Sequence, residues 1–414
     1  MSESDRVVIV GAGHAAGECA TALRQEGFSG PIQVIGAERH LPYQRPPLSK
    51  AYLAGQVGPE ALTLKAQATY QRGSIEMLLN TEVTRIDRAQ HQVETADGAH
   101  HRYAKLVLAT GGRARRLNAS LAARASGCGN LHYLRTIDDV DRIRPQFSPG
   151  FRLTIIGGGY IGLEVAAVAI KHGLAVIVLE ALPRVLARVT APEISAFYER
   201  VHGEAGVDVR THAAIESFEL DNSGDAIAAV RTSRGRIATD LVIAGIGLEP
   251  NVELASAAGL ETEDGICVDE FTRTSDPDIH AIGDCANQPN AALGRRLRLE
   301  SVPNAVEQGR AAAAVIAGKP RPYQPVPWFW SDQYDLKLQM VGISRNFDQL
   351  VIRGSTAERH FIGFYLCAGR IVAADAVSRP AEFMVAKRMV AACAVVDPAR
   401  LADCTVPLKS LIAA

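Results

Sequence analysis

The sequence has no C-x-x-C pair; its seven cysteines, Cys19, Cys128, Cys267, Cys285, Cys367, Cys393 and Cys404, are scattered. That spacing excludes a local dithiol relay or a thiolate zinc cluster, and it suits reduced, mostly buried thiols. The histidines form no H-x-x-x-H or H-E-x-x-H pattern, so no metal centre is expected and His100-His101 reads as a loop pair. Charge of one sign is also lacking. Lys plus Arg total 44 against 45 for Asp plus Glu, which argues against nucleic acid or an anionic membrane as partner. No apolar run reaches the roughly 20 residues that span a bilayer. Met1 to Asp5 leave no room for a basic leader before Val7, and the end, Leu411 to Ala414, carries no lipidation cysteine. A cytoplasmic protein is the expectation.

What is present is a chain of 414 residues with 47% apolar and 21% charged residues, too long for one hydrophobic core and ordinary in composition. Two or three folded domains are expected. The β-branched run Arg6 to Val10, a glycine turn, a helical stretch from Ala15 to Glu26 and a second run, Ile32 to Ile35, read as strand, helix, strand. The pattern returns in Leu153 to Ile156, a glycine cluster, a helical stretch to His172 and Ala175 to Leu179. Leu106 to Ala109, Leu241 to Ala244 and Ile279 to Ile282 look like further buried parallel strands opening onto glycine loops. The Pro-rich stretch Lys319 to Pro327 precedes both tryptophans, Trp328 and Trp330, and alternating segments such as Lys337 to Val341 and Phe361 to Leu366. These predict a separate antiparallel α+β domain at the end of the chain.

Two glycine fingerprints carry the chemistry. Gly11-Ala12-Gly13-His14-Ala15-Ala16 follows the first strand, with Glu38 closing the second strand 22 residues after Ala16. Gly157-Gly158-Gly159-Tyr160-Ile161-Gly162 repeats the motif with all three glycines, and Glu180 follows Gly162 by 18 residues. In such a motif the first glycine makes the turn and the second admits a pyrophosphate. The helix N-terminus supplies N–H donors, and the acidic residue accepts from a ribose diol. An acid at Glu180 favours the free 2′-hydroxyl of NADH. Arg184 and Arg188 keep NADPH open as a minor alternative. Two dinucleotides on one chain suggest hydride exchange, and flavin is the usual partner of nicotinamide.

The chain resembles the two-dinucleotide-binding-domain flavoproteins, the family of glutathione reductase, and within them the ferredoxin reductases of oxygenase systems. The likeness covers the whole chain. It rests on Val7 to Gly11, Leu106 to Gly112, Tyr133 to Thr136, Thr274 to Cys285 and Glu300 to Gln308, in matching order. It implies an α/β fold of two Rossmann-like domains plus a C-terminal α+β domain. The implied boundaries are 1–112 and 247–321 for a discontinuous FAD domain, 113–246 for the NADH domain and 322–414 for the last. The resemblance assigns FAD to Gly11, Gly13, His14, Ala15, Ala16, Glu38, Arg45, Lys50, Val83, Ala109, Thr110, Gly111, Arg135, Asp284, Val302 and Trp330. It assigns NADH to Gly157, Gly159, Tyr160, Ile161, Gly162, Glu164, Glu180 and Gly247.

Disulfide reductases of this family place a C-x-x-x-x-C pair in the region that here reads Pro42-Tyr43-Gln44-Arg45-Pro46-Pro47-Leu48-Ser49-Lys50, and persulfide or peroxide reductases place one cysteine there. This chain has neither. By resemblance, electrons leave the reduced flavin directly, Lys50 lies by the flavin N5 edge with Glu164 as its partner, and Trp330 covers the flavin. Lys50 and Glu164 are the catalytic candidates, with a structural ion pair as the plainer role. The implied acceptor is an acidic 2Fe-2S ferredoxin in a transient complex, feeding a haem-thiolate monooxygenase or a Rieske dioxygenase. Arg310, Lys387, Arg388 and Lys409 are candidate basic contacts, with Arg295, Arg296 and Arg298 beside them. Rubredoxin or monodehydroascorbate reductases, or an interaction flavoprotein resembling apoptosis-inducing factor, are the alternatives.

Overall fold

The structure is a computed structural model that describes residues 5–412, apart from the side chain of Ala292. The chain forms two compact units. The first contains the described part of Met1–Gln44, with Glu60–Arg113 and Leu248–Pro325; the second contains Arg45–Pro59, Ala114–Gly247 and Val326–Ala414 to its last described residue.

In the first unit five parallel strands lie in the order Ile279–Ala281, Lys105–Leu108, Val7–Val10, Ile32–Ile35, Ile75–Leu78. Val7–Val10 is buried on both faces, which explains its unbroken apolar run. Val7 and Ile9 pack toward the first glycine helix, His14–Gln25, while Val8 and Val10 pack with Ile35, Leu106 and Ile279 on the opposite face. The glycine helix lies against helix Val302–Ile316, where a Cβ on Gly309 would stand 2.9 Å from the Ala15 carbonyl oxygen. Only a residue without a side chain admits that approach. An antiparallel sheet, Val83–Asp87/Gln92–Thr95/His100–Arg102, and a mixed one, in which Ala286–Asn290 runs parallel to Ile266–Cys267 and antiparallel to Arg295–Arg298, complete the unit.

The second unit repeats the parallel sheet, in the order Asp208–Arg210, Ala175–Leu179, Arg152–Ile156, Leu241–Ala244, Leu131–Tyr133. Its second glycine helix is Tyr160–Lys171. The last part of the chain is an antiparallel sheet ordered Trp328–Gln333, Leu336–Gly342, Arg370–Val377, His360–Cys367, Gln349–Ser355, covered by helix Pro380–Ala391. In Leu336–Gly342 the alternation shows directly: Leu338 and Met340 are buried and Lys337 is exposed. Arg353 is buried here, yet its guanidinium meets Glu382 and the carbonyls of Leu401, Asp403 and Val406, which ties the end of the chain to the sheet.

Two expectations need correction. Only Cys19 and Cys285 are buried among the seven free thiols, and Cys393 and Cys404 are exposed, because the last two lie in turns just after the helices Pro380–Ala391 and Pro398–Ala402 rather than on packed faces. His100 and His101 lie in the short strand His100–Arg102, where pairing with Gln92–Thr95 draws them into a hairpin.

Candidate functional site

The first cradle is built by backbone geometry. Gly11 has φ +106°, and a Cβ there would overlap the Ala109 carbonyl oxygen, so the strand can turn into the helix only through glycine. Gly13 caps the helix without any side-chain hydrogen bond, has open space where a Cβ would stand, and is followed by no acidic residue in the first turn. This leaves a bare positive helix end suited to a pyrophosphate. Glu38 accepts a 2.6 Å hydrogen bond from the Tyr43 hydroxyl. Thr110 and Asn251 exchange hydrogen bonds, Oγ1 to carbonyl at 2.8 Å and Nδ2 to carbonyl at 2.9 Å, which holds the Ala109-Thr110-Gly111 turn. Asp284 sits half-buried in the turn Gly283–Cys285, whose Gly283 N–H donates to Gln308 Oε1 at 2.7 Å. Val302 opens the helix capped by Ser301. Val83 spends its side chain in the core with Val8 and Val10.

The second cradle repeats the device. Gly157 has φ +106°, and a Cβ on it would overlap the Gly245 carbonyl oxygen; a Cβ on Gly162 would overlap that of Gly157. Gly159 caps Tyr160–Lys171 with no side-chain bond. Glu180 accepts from Gly158 N–H and from Leu182 N–H, each at 2.8 Å, so it both closes the glycine loop and keeps lone pairs for a diol. Gly247, φ +115°, accepts at its carbonyl from Arg115 N–H at 2.9 Å. Ile161 is 43% exposed at the helix start. The Tyr160 ring packs on Phe329 at 5.1 Å and its hydroxyl meets Met340, so its side chain serves packing. Arg184 donates to Ser195 Oγ at 2.6 Å and to the Ala187 carbonyl at 3.0 Å, holding its own loop, while Arg188 is exposed.

Within this same unit Lys50 and Glu164 meet. Glu164 Oε2 stands 2.6 Å from Lys50 Nζ and accepts from Ser49 Oγ at 2.5 Å, and Oε1 accepts from Ser331 Oγ at 2.6 Å. Two prolines set the short turn Pro46–Ser49 that presents Lys50, and Lys50 Nζ also donates to the Pro46 carbonyl at 3.2 Å. Arg45 donates to the Arg135 carbonyl at 2.7 Å. The segment is anchored further by Tyr52, whose hydroxyl donates to Asp141 at 2.7 Å. Trp330 stacks near Trp328 at 5.7 Å, and Trp328 carries Lys387 over its face at 4.4 Å. Ser49, Ser331, Gln333 and His202 were not singled out by the sequence. The only trace of the strand pair was the alternation of Ser331 and Gln333 with Trp330 and Asp332.

The basic candidates divide. Arg388 and Lys409 are exposed. Arg310 is exposed too but pairs with Glu18 at 2.7 Å. Arg298 is not a surface charge: its side chain is 8% exposed, and it pairs with Asp264 and Glu300 and donates to the Asp284 carbonyl. Arg296 donates to the Val268 carbonyl at 2.6 Å. Among the described residues no cluster of His, Cys, Asp and Glu could hold a metal, and no helix is long and apolar enough to cross a membrane.

The pyridine nucleotide-disulphide oxidoreductase model matches residues 5–309, and a reductase C-terminal model matches 328–412. Putidaredoxin reductase of Pseudomonas putida is 48% identical over 415 aligned residues, spanning 100% of this chain and 98% of the relative. The ferredoxin reductase subunit of a 5,5'-dehydrodivanillate O-demethylase from a Sphingobium species is 45% identical, spanning 98% of each. A solved covalent complex of putidaredoxin reductase with putidaredoxin superposes with a TM-score of 0.95 at 48% identity, covering 98% of each chain. With both cradles formed and both family models matched in order, the chain belongs to the pyridine nucleotide-disulphide oxidoreductase family and is putidaredoxin reductase-like over its whole length.

Proposed function

We propose that the chain is an FAD-dependent NADH:ferredoxin reductase that serves a 2Fe-2S ferredoxin, which in turn feeds a haem-thiolate monooxygenase or a Rieske dioxygenase. The observation that carries this reading is the ion pair of Lys50 with buried Glu164, reached through a segment, Pro42 to Lys50, that holds no cysteine. A thiol acceptor has no residue to use there.

The chemistry that FAD supplies when bound is conversion of a two-electron hydride donor into two one-electron transfers. The chain's part is placement. Gly11, Gly13, His14, Ala15, Ala16, Glu38, Ala109 to Gly111, Asp284 and Val302 would hold FAD, joined by Arg45, Arg135 and Trp330, and by Val83 through its main chain alone, since its side chain lies in the core. Gly157 to Gly162, Glu180 and Gly247 hold NADH. The domains follow: 1–112 with 247–321 for FAD, 113–246 for NADH and 322–414 at the end. Lys50 would offer FAD a fixed cation, and Glu164 keeps that cation paired inside the protein. Arg388 and Lys409, exposed, with Arg310 and Lys387, are the contacts for an acidic ferredoxin. Free thiols throughout suit work in the cytoplasm.

Stopped-flow mixing of the NADH-reduced protein with a 2Fe-2S ferredoxin tests the reading. Reoxidation far faster than with oxygen, rubredoxin or ascorbyl radical, and slowed by salt, is the expected result. Equal rates with these acceptors, or a long-lived reduced complex without turnover, would overturn it.

A further inference from the structure

Glu164 is held from a second side. Along Trp328–Gln333, side chains alternate between faces, so Phe329, Ser331 and Gln333 point one way and Trp328, Trp330 and Asp332 the other. Phe329 meets Tyr160 and Ser331 meets Glu164, so the first set faces the second glycine helix. Four helical residues rise about 6 Å and two strand residues about 6.6 Å. Helix and strand therefore stay in step for one contact after another, and Lys171 reaches the ring of Tyr334 at 5.8 Å.

From Glu164 a chain of hydrogen bonds runs through buried side chains. Ser331 Oγ meets Glu164 Oε1 at 2.6 Å, Gln333 Nε2 meets Ser331 Oγ at 3.2 Å, His202 Nε2 meets Gln333 Oε1 at 2.9 Å, and the Tyr334 hydroxyl meets His202 Nδ1 at 2.9 Å. Its polarity follows from counting protons. An ionised carboxylate only accepts, so the single Ser331 proton points to Glu164. Ser331 can then only accept from Gln333, which must offer its N–H₂ and turn its carbonyl to His202. That carbonyl needs the His202 proton on Nε2, which leaves Nδ1 bare to accept from Tyr334. Burial holds the His202 imidazole below its usual pKa, consistent with one proton on the ring. Every donor points toward Glu164, and dipoles aligned head to tail strengthen one another in a dry interior.

We infer that Ser331, Gln333, His202 and Tyr334 are positioning residues: a one-way donor chain that fixes the orientation of Glu164 and, through it, of Lys50. The inference rests on the role proposed for Lys50 and Glu164. None of the four need touch a cofactor, since Ser331 alone reaches Glu164 and the others act through it.

The test uses the flavin-loaded protein. Ser331→Ala and Gln333→Met should each slow the limiting rate of flavin reduction by NADH about tenfold, the usual scale of coupling inside one network, with half-saturating NADH unchanged within about twofold. Ser331→Thr, which keeps the hydroxyl, should restore the rate. In the Glu164→Gln background Ser331→Ala should add no further loss. ¹⁵N spectra should place the His202 proton on Nε2, a readout independent of turnover. Three results would overturn the inference: normal rates in both variants while Glu164→Gln is slow, full additivity in the double variant, or a His202 proton on Nδ1. A normal rate in Glu164→Gln itself would instead remove the role of the ion pair, and the inference with it.

Discussion

Glu164 Oε2 lies 2.6 Å from Lys50 Nζ although only 4% of the Glu164 side chain is exposed. Lys50, Ser49 and Ser331 all direct protons at this buried side chain, which offsets the cost of taking its polar atoms out of water. Glu164→Gln keeps the shape and removes the charge. Flavin reduction by NADH should slow by one to two orders of magnitude, roughly what misplacing one positioned group costs. Lys50→Met should do the same. Rapid-mixing spectra at saturating NADH check both, and unchanged rates would reduce the pair to scaffolding.

Glu180 does two jobs, accepting from the Gly158 and Leu182 N–H groups and presenting a negative charge at the end of its strand. Glu180→Gln keeps one acceptor oxygen and loses the charge that repels a 2′-phosphate. The ratio of kcat/KM for NADPH over NADH should rise about tenfold, since one screened charge contact is worth about 1.4 kcal/mol at a partly exposed site. A ratio that does not move would assign Glu180 to loop structure alone.

The two cradles can be disabled separately. Gly11→Ala places a Cβ into the Ala109 carbonyl at a φ of +106°. Gly162→Ala drives one into the Gly157 carbonyl. The first should purify with little flavin, read from absorbance per protein. The second should bind flavin normally and lose NADH-driven reduction while dithionite still reduces it. Loss of flavin from Gly162→Ala would contradict the division of labour.

Asp375 is buried in the C-terminal sheet with Tyr365 O–H donating to it at 2.5 Å, and burial pushes its carboxyl up to about 7 despite that bond. The unfolded value is near about 3.9, so between about pH 4 and 7 the folded state binds the extra proton. Its contribution is therefore favourable at low pH and fades as pH rises toward 7. Asp375→Asn should raise the Tm at pH 8 and change it less at pH 5. A Tm gain larger at pH 5 than at pH 8 would refute the assignment.

Much of this could be read directly from local pattern. Val7–Val10, Ile32–Ile35 and the glycine turns were legible because buried parallel strands are unbroken apolar runs and because a strand turning sharply into a helix requires glycine at Gly11 and Gly157. Glu38 and Glu180 were legible by their distance from those turns. Arg298 stands among the basic partner contacts by sequence alone, yet its side chain is largely buried, because its partners Asp264 and Glu300 and its burial depend on how the small sheet Arg295–Arg298 folds back. The exposure of Cys393 and Cys404 was invisible for the same reason.

By itself the sequence determined that the chain has two dinucleotide turns, an acid after each and no thiol between Pro42 and Lys50, because turns, strand periods and missing residue types are properties of neighbours along the chain. Only the tertiary structure decided that Glu164 is buried against Lys50, and that Ser331, Gln333, His202 and Tyr334 stand behind it. Those residues come from four separate stretches of sequence. A helix and a strand that advance at matching rates bring Glu164 and Ser331 together, the turn before Lys50 and the helix that carries His202 pack on either side, and no local pattern records which helix a strand will face.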